Sequence, residues 1–258
     1  MIDYSLTDSV AEIVLNDPAK LNALDEAALA ELSTAFTRAE HDGARAVILR
    51  GEGRAFCAGR DISHVDPATD DATGYLSDVV TPLLRQIDAF PAPTFAIATG
   101  ACLGVGLGLL VASDVVYVAD TAKIGSPFAN LGATLDSGGH ALFFERLGAH
   151  RALDLIYTAE LMTGAEAVAA GLFSRVVPEV EVLDFTRERA QRVAKGAAEA
   201  YLASKRLIHR LRDERVGLWE SIDDENLAQG ELCATPDYLE GFAAFREKRP
   251  PVFGASRA

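Results

Sequence analysis

The segment from 125 to 139, GSPFANLGATLDSGG, holds one ionisable side chain, the carboxyl group of Asp136, among apolar residues, small residues and glycine. A carboxylate in an apolar setting is a candidate proton acceptor, because removal from water raises its pKa. The position also suits a simpler role, since Asp136 or Ser137 is well placed to N-cap the helix predicted from GGHALFFERL, which ends at Gly148. The residues alone leave both roles open.

Two glycine-rich turns each follow a predicted buried strand, RAFCAGRDI at 54 to 62 and ATGACLGVGLG at 98 to 108. Glycine permits tight turns, and a helix that begins directly afterwards leaves its first N–H groups unpaired. Two such turns at neighbouring strand ends are able to point one N–H each at a single oxygen atom, which is the arrangement of an oxyanion hole. Taken singly, each turn is explained as well by glycines that let a helix pack closely on a sheet.

Two other patterns resemble known functional motifs, but neither has all the residues that its motif requires. DSGG at 136 to 139 resembles the nucleophile segment of trypsin-like proteases, but this chain is helix-rich and has Leu135 where that motif has glycine. A dinucleotide-binding loop that started at Gly104 would require a third glycine where Leu109 stands. The five histidines have no ligand spacing, so no metal site is predicted.

The elements that must position these groups alternate between strand and helix up to about residue 138, which favours an α/β fold with mostly parallel strands. From there onward the sequence predicts helices, apart from a strand in LFSRVV at 172 to 177, and Thr235 begins the last helix with proline in its first turn. We predict an α/β core over 1–195 and a helical region over 196–258. The earlier predicted elements are strands on either side of Asp8-Ser9, a helix from an N-cap at Asp25 to about Gly43, a strand at 46 to 50, a helix at 77 to 90 and strands beginning at 94 and 115.

Composition excludes several classes of partner. The formal charge of −14 on 258 residues, with no local cluster of lysine or arginine, argues against nucleic acid. Three cysteines without a CxxC pair predict neither a disulfide framework nor a thiolate metal site, and fit a reducing cytoplasm. The polar, acidic start MIDYSLTDS does not predict a signal peptide, and the apolar run at 101 to 112 is too short to span a membrane.

The two glycine-rich turns together resemble the two signature segments of the crotonase superfamily, the enoyl-CoA hydratase/isomerase family. The resemblance continues in the same order along nearly the whole chain. It implies a crotonase-like core of repeated ββα units in a spiral, with a helical C-terminal trimerisation region, assembled as a homotrimer or a dimer of trimers. The further matching segments are NDPAKLNALD at 16 to 25, LGATLDSGG at 131 to 139, MTGAEAVAAGLFSRVVP at 162 to 178 and FREKRPPVF at 245 to 253.

The resemblance also implies a substrate, an acyl-CoA thioester, with CoA as part of that substrate and no separate cofactor or metal. It assigns the oxyanion-hole donors to the backbone N–H groups of Arg60 and Val105, the latter at a position where members commonly have glycine. The 245–249 segment resembles a terminal helix that reaches a CoA site, although a solvated charged face explains Lys248 and Arg249 equally well. The residues matched to the surroundings of the substrate are Ala58, Gly59, Asp61, Ile62, Gly106 and Phe128.

Hydratases of this family use two glutamates, and the matching positions here are Gly108 and Phe128, neither of which can carry a proton. Asp136 instead matches the aspartate of isomerases of the phenylacetate-degradation type, with Leu135 in place of the usual proline. The resemblance therefore implies double-bond isomerisation with Asp136 as the proton shuttle. Alternatives are hydration with another acid, dehalogenation with Asp136 as nucleophile, and a catalytically inactive CoA-binding subunit. A loop and helix over 63–80 are expected to set substrate specificity.

Overall fold

The computed structural model describes residues 1–63 and 65–254. Within these residues the chain forms nine strands in two sheets, together with ten α-helices. The strands are β1 (Ile2–Thr7), β2 (Val10–Leu15), β3 (Ala46–Gly51), β4 (Thr94–Ala98), β5 (Ala101–Leu103), β6 (Val115–Ala119), β7 (Lys123–Gly125), β8 (Met162–Thr163) and β9 (Arg175–Val177).

The larger sheet has the strand order β1-β2-β3-β4-β6-β9. Only β1 and β2 pair antiparallel, as the hairpin predicted around Asp8-Ser9, and all other neighbours are parallel. The strand β4 is buried along its whole length, which explains its continuous run of apolar residues. The predicted α/β fold with mostly parallel strands is confirmed.

The chain repeats a ββα unit whose two strands belong to different sheets, and the second strands form part of the smaller sheet, β5-β7-β8. In each of two successive units the first strand, β4 or β6, joins the larger sheet and the second, β5 or β7, joins the smaller one, before a helix closes the unit. After β3, the place of the second strand is taken by Cys57, which forms a single parallel bridge with Cys102 of β5. Successive units therefore stack, and the turn after Cys57 lies beside β5.

The helices confirm most of the predicted boundaries. The helix predicted at 77 to 90 is longer than expected, because it begins at Ala72 and passes through a π-helical turn, Tyr75–Val80, before it ends at Asp88. In the predicted loop over 63–80, residue 64 lies outside the described residues. The α-helices are α1 (Glu26–His41), α2 (Ala72–Gly74), α3 (Thr81–Asp88), α4 (Val105–Val111), α5 (Gly139–Thr158), α6 (Gly164–Ala169), α7 (Val182–Ala194), α8 (Ala198–Glu214), α9 (Leu218–Leu232) and α10 (Pro236–Glu247).

Two helix starts were predicted correctly from their capping residues. The Asp25 carboxylate accepts a hydrogen bond from the Ala28 N–H at 2.8 Å, and the Thr235 hydroxyl accepts one from the Tyr238 N–H at 3.3 Å. Each bond satisfies one of the N–H groups that a helix leaves unpaired in its first turn. Gly148 has non-helical backbone angles inside α5, so the end predicted there is a break between two helical parts.

The larger sheet separates two apolar clusters. One contains α1, α3, α4 and the smaller sheet, and the other lies under α7. Ion pairs join α8 to the core, since Lys205 pairs with Asp114 at 3.0 Å and Arg212 with Asp88 at 2.8 Å. In the described part of the chain, no helix has the length and apolar composition needed to cross a membrane.

Asn22 joins the segment before α1 to the end of β3, and it is fully buried. Its side-chain oxygen accepts a hydrogen bond from the Asp17 N–H at 2.8 Å. Its amide nitrogen donates to the Glu52 and Ala55 carbonyls at 3.0 and 2.8 Å. The residue also has a left-handed φ of 56°, which asparagine tolerates better than most residues.

We expect Asn22→Ala to lower the free energy of unfolding by about 2 kcal/mol or more, because it leaves buried backbone groups unpaired and places alanine in a left-handed conformation. Urea unfolding monitored by circular dichroism measures the change. Gln191→Ala, on the exposed face of α7, is the matched control and should change stability by less than about 0.5 kcal/mol. Equal stability of the two variants would show that Asn22 does not hold this junction.

Candidate active site

The turn after β3 is joined to the chain around β5 by backbone hydrogen bonds. The Cys57 N–H donates to the Ala101 carbonyl at 2.9 Å. The Leu103 N–H donates back to the Cys57 carbonyl at 3.0 Å. The first predicted glycine-rich turn is therefore fixed against the strand that leads into the second.

On its other side, the same turn is joined to the segment before α1. The Leu24 N–H donates to the Gly59 carbonyl at 2.8 Å, and the Asp61 N–H donates to the Leu24 carbonyl at 2.9 Å. In this parallel arrangement the amide of the intervening residue, Arg60, points away from Leu24. No acceptor among the described residues takes its hydrogen, so the Arg60 N–H is available to a ligand.

The second turn ends at Gly104, which directly precedes α4. The Gly104 N–H donates to the Ser126 hydroxyl at 3.2 Å. Val105 is the first residue of α4, so its N–H has no partner within the helix. Its side chain is buried in the main apolar cluster. The backbone donor is therefore retained although valine replaces the glycine that the resemblance implies.

The two turns approach each other through their glycines. Gly59 and Gly104 both have left-handed φ values, 99° and 54°. A Cβ atom on Gly59 would lie 3.0 Å from the Leu103 carbonyl oxygen and 3.8 Å from the Gly104 Cα. Arg60 and Val105 each follow one of these glycines, so the two residues predicted to donate N–H groups lie on adjacent turns. The arrangement suits an oxyanion hole.

Asp136 has the properties of a proton acceptor. Its side chain is half-buried, and its Oδ1 atom is buried with no hydrogen-bond partner in the part of the chain that the structure describes. Burial raises the pKa of Asp136 above the usual value for aspartate, and the adjacent Ser137 hydroxyl, which is close enough to interact with the carboxylate, opposes part of that rise. A raised pKa makes the ionised carboxylate a stronger base than an exposed aspartate.

The N-capping role predicted for Asp136 or Ser137 is wrong for both side chains. The N-cap residue of α5 is Gly138, and no side chain caps this helix. Gly138 has a left-handed φ of 88°, which glycine adopts without strain. The backbone carbonyl of Asp136, and not its carboxylate, accepts a hydrogen bond from the Gly139 N–H at 2.9 Å. The carboxylate is thus not used in helix formation.

Ser137 packs directly on Gly108 of α4. A Cβ atom on Gly108 would overlap the Ser137 Cβ and lie 3.1 Å from the Ser137 carbonyl oxygen. The first position that the resemblance assigns to a hydratase glutamate therefore has no room for a side chain while Ser137 keeps its place. The same contact brings Asp136 next to the helix that carries Val105.

Phe128 occupies the second position that the resemblance assigns to a glutamate. It begins a 3₁₀ turn, Phe128–Leu131, and its ring is half-buried. The ring atom Cζ lies 3.0 Å from where a Cβ on Gly104 would stand. An apolar ring therefore adjoins the start of α4.

The other residues matched to the substrate surroundings divide into two groups. Ala58 and Gly106 lie at the meeting point of the turns, where a Cβ on Gly106 would stand 2.7 Å from the Cys57 Cβ. Asp61 pairs with Lys20 at 2.7 Å, and this contact together with Ser63 holds the pKa of Asp61 well below its usual range. Ile62 is 56% exposed. These two side chains lie at the outer end of the turn.

Tyr75 is a residue of this region that sequence reasoning missed. The Arg60 guanidinium lies 3.9 Å from the centroid of the Tyr75 ring and also donates to both Asp70 carboxylate oxygens at 2.8 Å. Burial raises the pKa of Tyr75, while the Arg60 charge opposes the rise and the Asp136 charge adds to it. Tyr75 therefore lies within electrostatic reach of both residues. The available signal was an aromatic residue in the otherwise acidic, turn-rich stretch at 63 to 80.

The C-terminal segment lies apart from these groups. Phe245 lines a cavity of about 330 Å³ formed with α8, α9 and α10, in which none of the predicted site residues takes part. Arg249 pairs with Glu240 and Glu247, each at 2.6 Å. Lys248 caps the C-terminus of α10 in a left-handed conformation. Among residues 1–63 and 65–254, no cluster of three histidine, cysteine or acidic residues is arranged to hold a metal.

Comparison with known proteins gives a consistent result. The family model described as "Enoyl-CoA hydratase/isomerase" matches residues 5–256. A protein of Rhodobacter capsulatus named "Probable enoyl-CoA hydratase" is 35% identical over 98% of this chain and 97% of its own length. The "2,3-dehydroadipyl-CoA hydratase" of Escherichia coli is 31% identical over 93% of each chain.

Solved structures show the same likeness in three dimensions. The crystal structure of an enoyl-CoA hydratase from Bacillus anthracis matches 97% of this chain and 98% of its own, at 30% identity and a TM-score of 0.88. The chain therefore has the α/β fold of that enzyme, with a helical C-terminal region. The predicted crotonase-like architecture is confirmed.

The contact between Gly108 and Ser137 predicts a loss of stability in Gly108→Ala. Alanine stabilises the interior of a helix by about 1 kcal/mol relative to glycine. A loss of stability in Gly108→Ala would therefore come from the overlap with Ser137. We expect the free energy of unfolding to fall by about 1–3 kcal/mol. The matched control is Gly230→Ala in α9, where a Cβ meets nothing within 4 Å, and this variant should be as stable as the unmodified chain or more so. Urea unfolding of both variants measures the difference, and similar gains in both would refute the contact.

The raised pKa of Asp136 predicts a pH-dependent stability difference. Burial disfavours the charged form of Asp136 in the folded protein, so the carboxyl group has a higher pKa in the folded state than in the unfolded state, where it is about 3.9. As the pH rises from about 3.9 through the folded-state pKa, the folded protein therefore loses stability. Asp136→Asn should therefore have a higher Tm than the unmodified chain at pH 7, and the gap should close on acidification towards pH 4. Thermal unfolding at a series of pH values measures it. A gap that is independent of pH would mean that Asp136 is not desolvated.

Proposed function

The chain belongs to the enoyl-CoA hydratase/isomerase family, and on that premise we propose that it moves the double bond of an enoyl-CoA thioester with Asp136 as the proton shuttle. The observation that carries the proposal is the half-buried Asp136 carboxylate with an unpaired oxygen, in a site where both hydratase glutamate positions lack a proton carrier. Among family members, we place it with the aspartate-containing isomerases of the phenylacetate-degradation type.

The reaction follows from three groups. Asp136 takes a proton from C2 of a 3-enoyl thioester, and the electron pair of that C–H bond moves to the thioester oxygen as a dienolate forms. The backbone N–H groups of Arg60 and Val105 stabilise the oxygen anion. The protonated Asp136 then returns its proton to C4, while the electrons move back and place the double bond between C2 and C3. One carboxylate performs both transfers, so no second acid is required.

The apolar surroundings support this role. The half-buried Phe128 ring adjoins the start of α4, and an apolar surrounding strengthens the hydrogen bonds that the dienolate oxygen accepts. Burial keeps the pKa of Asp136 high, which favours its action as a base. CoA enters as part of the substrate along the Ala58–Ile62 turn, and we propose no separate cofactor.

Hydration is the second candidate, because the relatives quoted above are named as hydratases. It would require a water held and deprotonated by one group while another group protonates C2. With Gly108 packed against Ser137 and a phenyl ring at Phe128, neither matched position supplies such a group. The proton-carrying side chains that are present therefore support isomerisation better than hydration.

We also propose a homotrimer or dimer of trimers in the cytoplasm, with residues 196–258 as the assembling region. Its helix α9 exposes Leu218, Trp219 and Leu227. Large apolar side chains in such number are more often covered by a partner than left in water. Size-exclusion chromatography with light scattering measures the assembly directly.

Proton exchange tests the proposed function. In deuterated water, the unmodified chain should convert 3-enoyl-CoA to 2-enoyl-CoA, with deuterium entering the product, as mass spectrometry will show. Asp136→Asn should bind the same thioester and lower kcat by about a hundredfold or more, because the proton carrier is gone. The matched control is Asp184→Asn, which changes an exposed aspartate of α7 and should retain full activity.

Other outcomes lead to other conclusions. A hydrated product that depends on Asp136 would replace isomerisation by hydration. Full activity of Asp136→Asn would remove Asp136 from the mechanism. Binding without exchange in the unmodified chain, over a panel of enoyl-CoA chain lengths, would indicate a catalytically inactive CoA-binding subunit.

A further inference from the structure

The turn that follows Asp136 has an uncommon backbone conformation. Its two central residues, Ser137 and Gly138, both have left-handed φ values, 51° and 88°. The Gly139 N–H closes the turn by donating to the Asp136 carbonyl at 2.9 Å. This is the φ pattern of a type I′ turn, which favours glycine, asparagine or aspartate at both central positions. Serine is strained there, because its Cβ atom approaches the following carbonyl oxygen, whereas glycine would form the same turn without strain.

Packing uses the Cβ atom of Ser137 but not its hydroxyl group. This Cβ lies 2.4 Å from where a Cβ on Gly108 would stand, so it fills the space above that glycine of α4. An alanine at 137 would make the same contact. Backbone strain is commonly retained where a side chain has a function. The oxygen atom of Ser137 therefore needs an explanation other than the turn or the packing.

The Ser137 hydroxyl lies beside the carboxylate of the preceding residue. The Ser137 Oγ and the Asp136 Oδ1 are both buried, and neither has another hydrogen-bond partner in the described part of the chain. The hydroxyl is close enough to the carboxylate to oppose the rise in the pKa of Asp136 that burial causes. One group is a donor and the other is an acceptor, so a hydrogen bond between them would satisfy two atoms that are costly to bury unpaired.

The charged and titratable groups around Asp136 do not take this place. Among residues 1–63 and 65–254, the pKa of Asp136 responds to burial and to Ser137, and to no cation. Tyr75 is affected by the Asp136 charge, and its own raised pKa keeps it neutral. His140, in the first turn of α5, interacts with the Thr134 hydroxyl at 3.3 Å. The Ser137 hydroxyl is therefore the side-chain donor that is available to the carboxylate.

We propose that Ser137 is a positioning residue, whose hydroxyl donates a hydrogen bond to the ionised Asp136 carboxylate and holds it in the orientation that accepts the substrate proton. The inference rests on the proposed function, since it takes Asp136 to be the base. A small rotation of the carboxylate completes the bond to Oδ1, and Oδ2 then remains free to take the proton. A base that is held in one orientation reacts faster than one that rotates freely.

Ser137→Ala tests the inference, because it removes the hydroxyl and keeps the contact with Gly108. The kcat for isomerisation of a 3-enoyl-CoA should fall about tenfold, while the Kd for hexanoyl-CoA should change less than about twofold. The pKa of Asp136 should be higher than in the unmodified chain, because the ionised form has lost its donor. A ¹³C NMR titration of the unliganded protein, labelled at its aspartate carboxyl carbons, measures this pKa, and Asp136→Asn identifies the resonance.

Ser137→Gly removes the strain together with the hydroxyl. It should fold at least as stably as the unmodified chain and show the same changes in kcat and in the pKa of Asp136, so it serves as the test if Ser137→Ala does not fold. The matched control is Ser33→Ala, which removes another half-buried serine hydroxyl, one that donates to Gln86 at 2.7 Å. This control should change neither quantity.

An unchanged pKa of Asp136 in Ser137→Ala would overturn the inference, as would an unchanged kcat, because a residue that serves only packing moves neither. If the unmodified chain does not isomerise the thioester, the proposed function fails and the positioning role fails with it. If isomerisation depends on Asp136 and Ser137→Ala leaves both quantities unchanged, only this inference fails.

Discussion

The approach of two backbone turns, through Gly59 and Gly104, is the constraint on which the rest of this site depends. Both glycines have left-handed φ values, and a side chain on either would meet neighbouring atoms at 3.0 Å. Hydrogen bonds between Cys57 and the strand β5 hold the turns in register. Because the candidate donors are backbone N–H groups, their positions depend on the sheets and not on the side chains of Arg60 and Val105. This explains how a valine is accommodated at the position where the resemblance implies glycine.

Short sequence patterns predicted most of the helices and strands correctly, whereas the positions of several side chains in the site depend on tertiary packing. Asp25 caps the helix it was predicted to cap, because an N-cap depends only on the residues that follow it. The same reasoning failed at Asp136 and Ser137, because Gly138 is the N-cap residue of α5 and no side chain caps this helix. The position of Tyr75 was not predictable from its neighbours in sequence, since its burial depends on Arg60, which is 15 positions away. The matched residues at 58 to 62 were predicted as one segment, and the structure divides them between an inner and an outer end.

Electrostatics links the parts of the site. The Arg60 residue contributes its backbone N–H on one side and, through its guanidinium, holds both Asp70 and the ring of Tyr75 on the other. Asp136 is left without a cation of its own, so burial raises its pKa. A positive partner would lower that pKa and weaken the carboxylate as a base. The Arg60 guanidinium is itself paired with the Asp70 carboxylate.

The contact between Gly108 and Ser137 also bears on how easily one chemistry can evolve into another on this fold. Restoring a glutamate at 108 by a single substitution would drive its side chain into Ser137, so an intermediate with that one change would lose stability before it gained a new acid. The segment around Ser137 would have to move first, and that step alone would displace Asp136. A side chain at 108 and Ser137 in its present place therefore exclude each other, because both require the same volume.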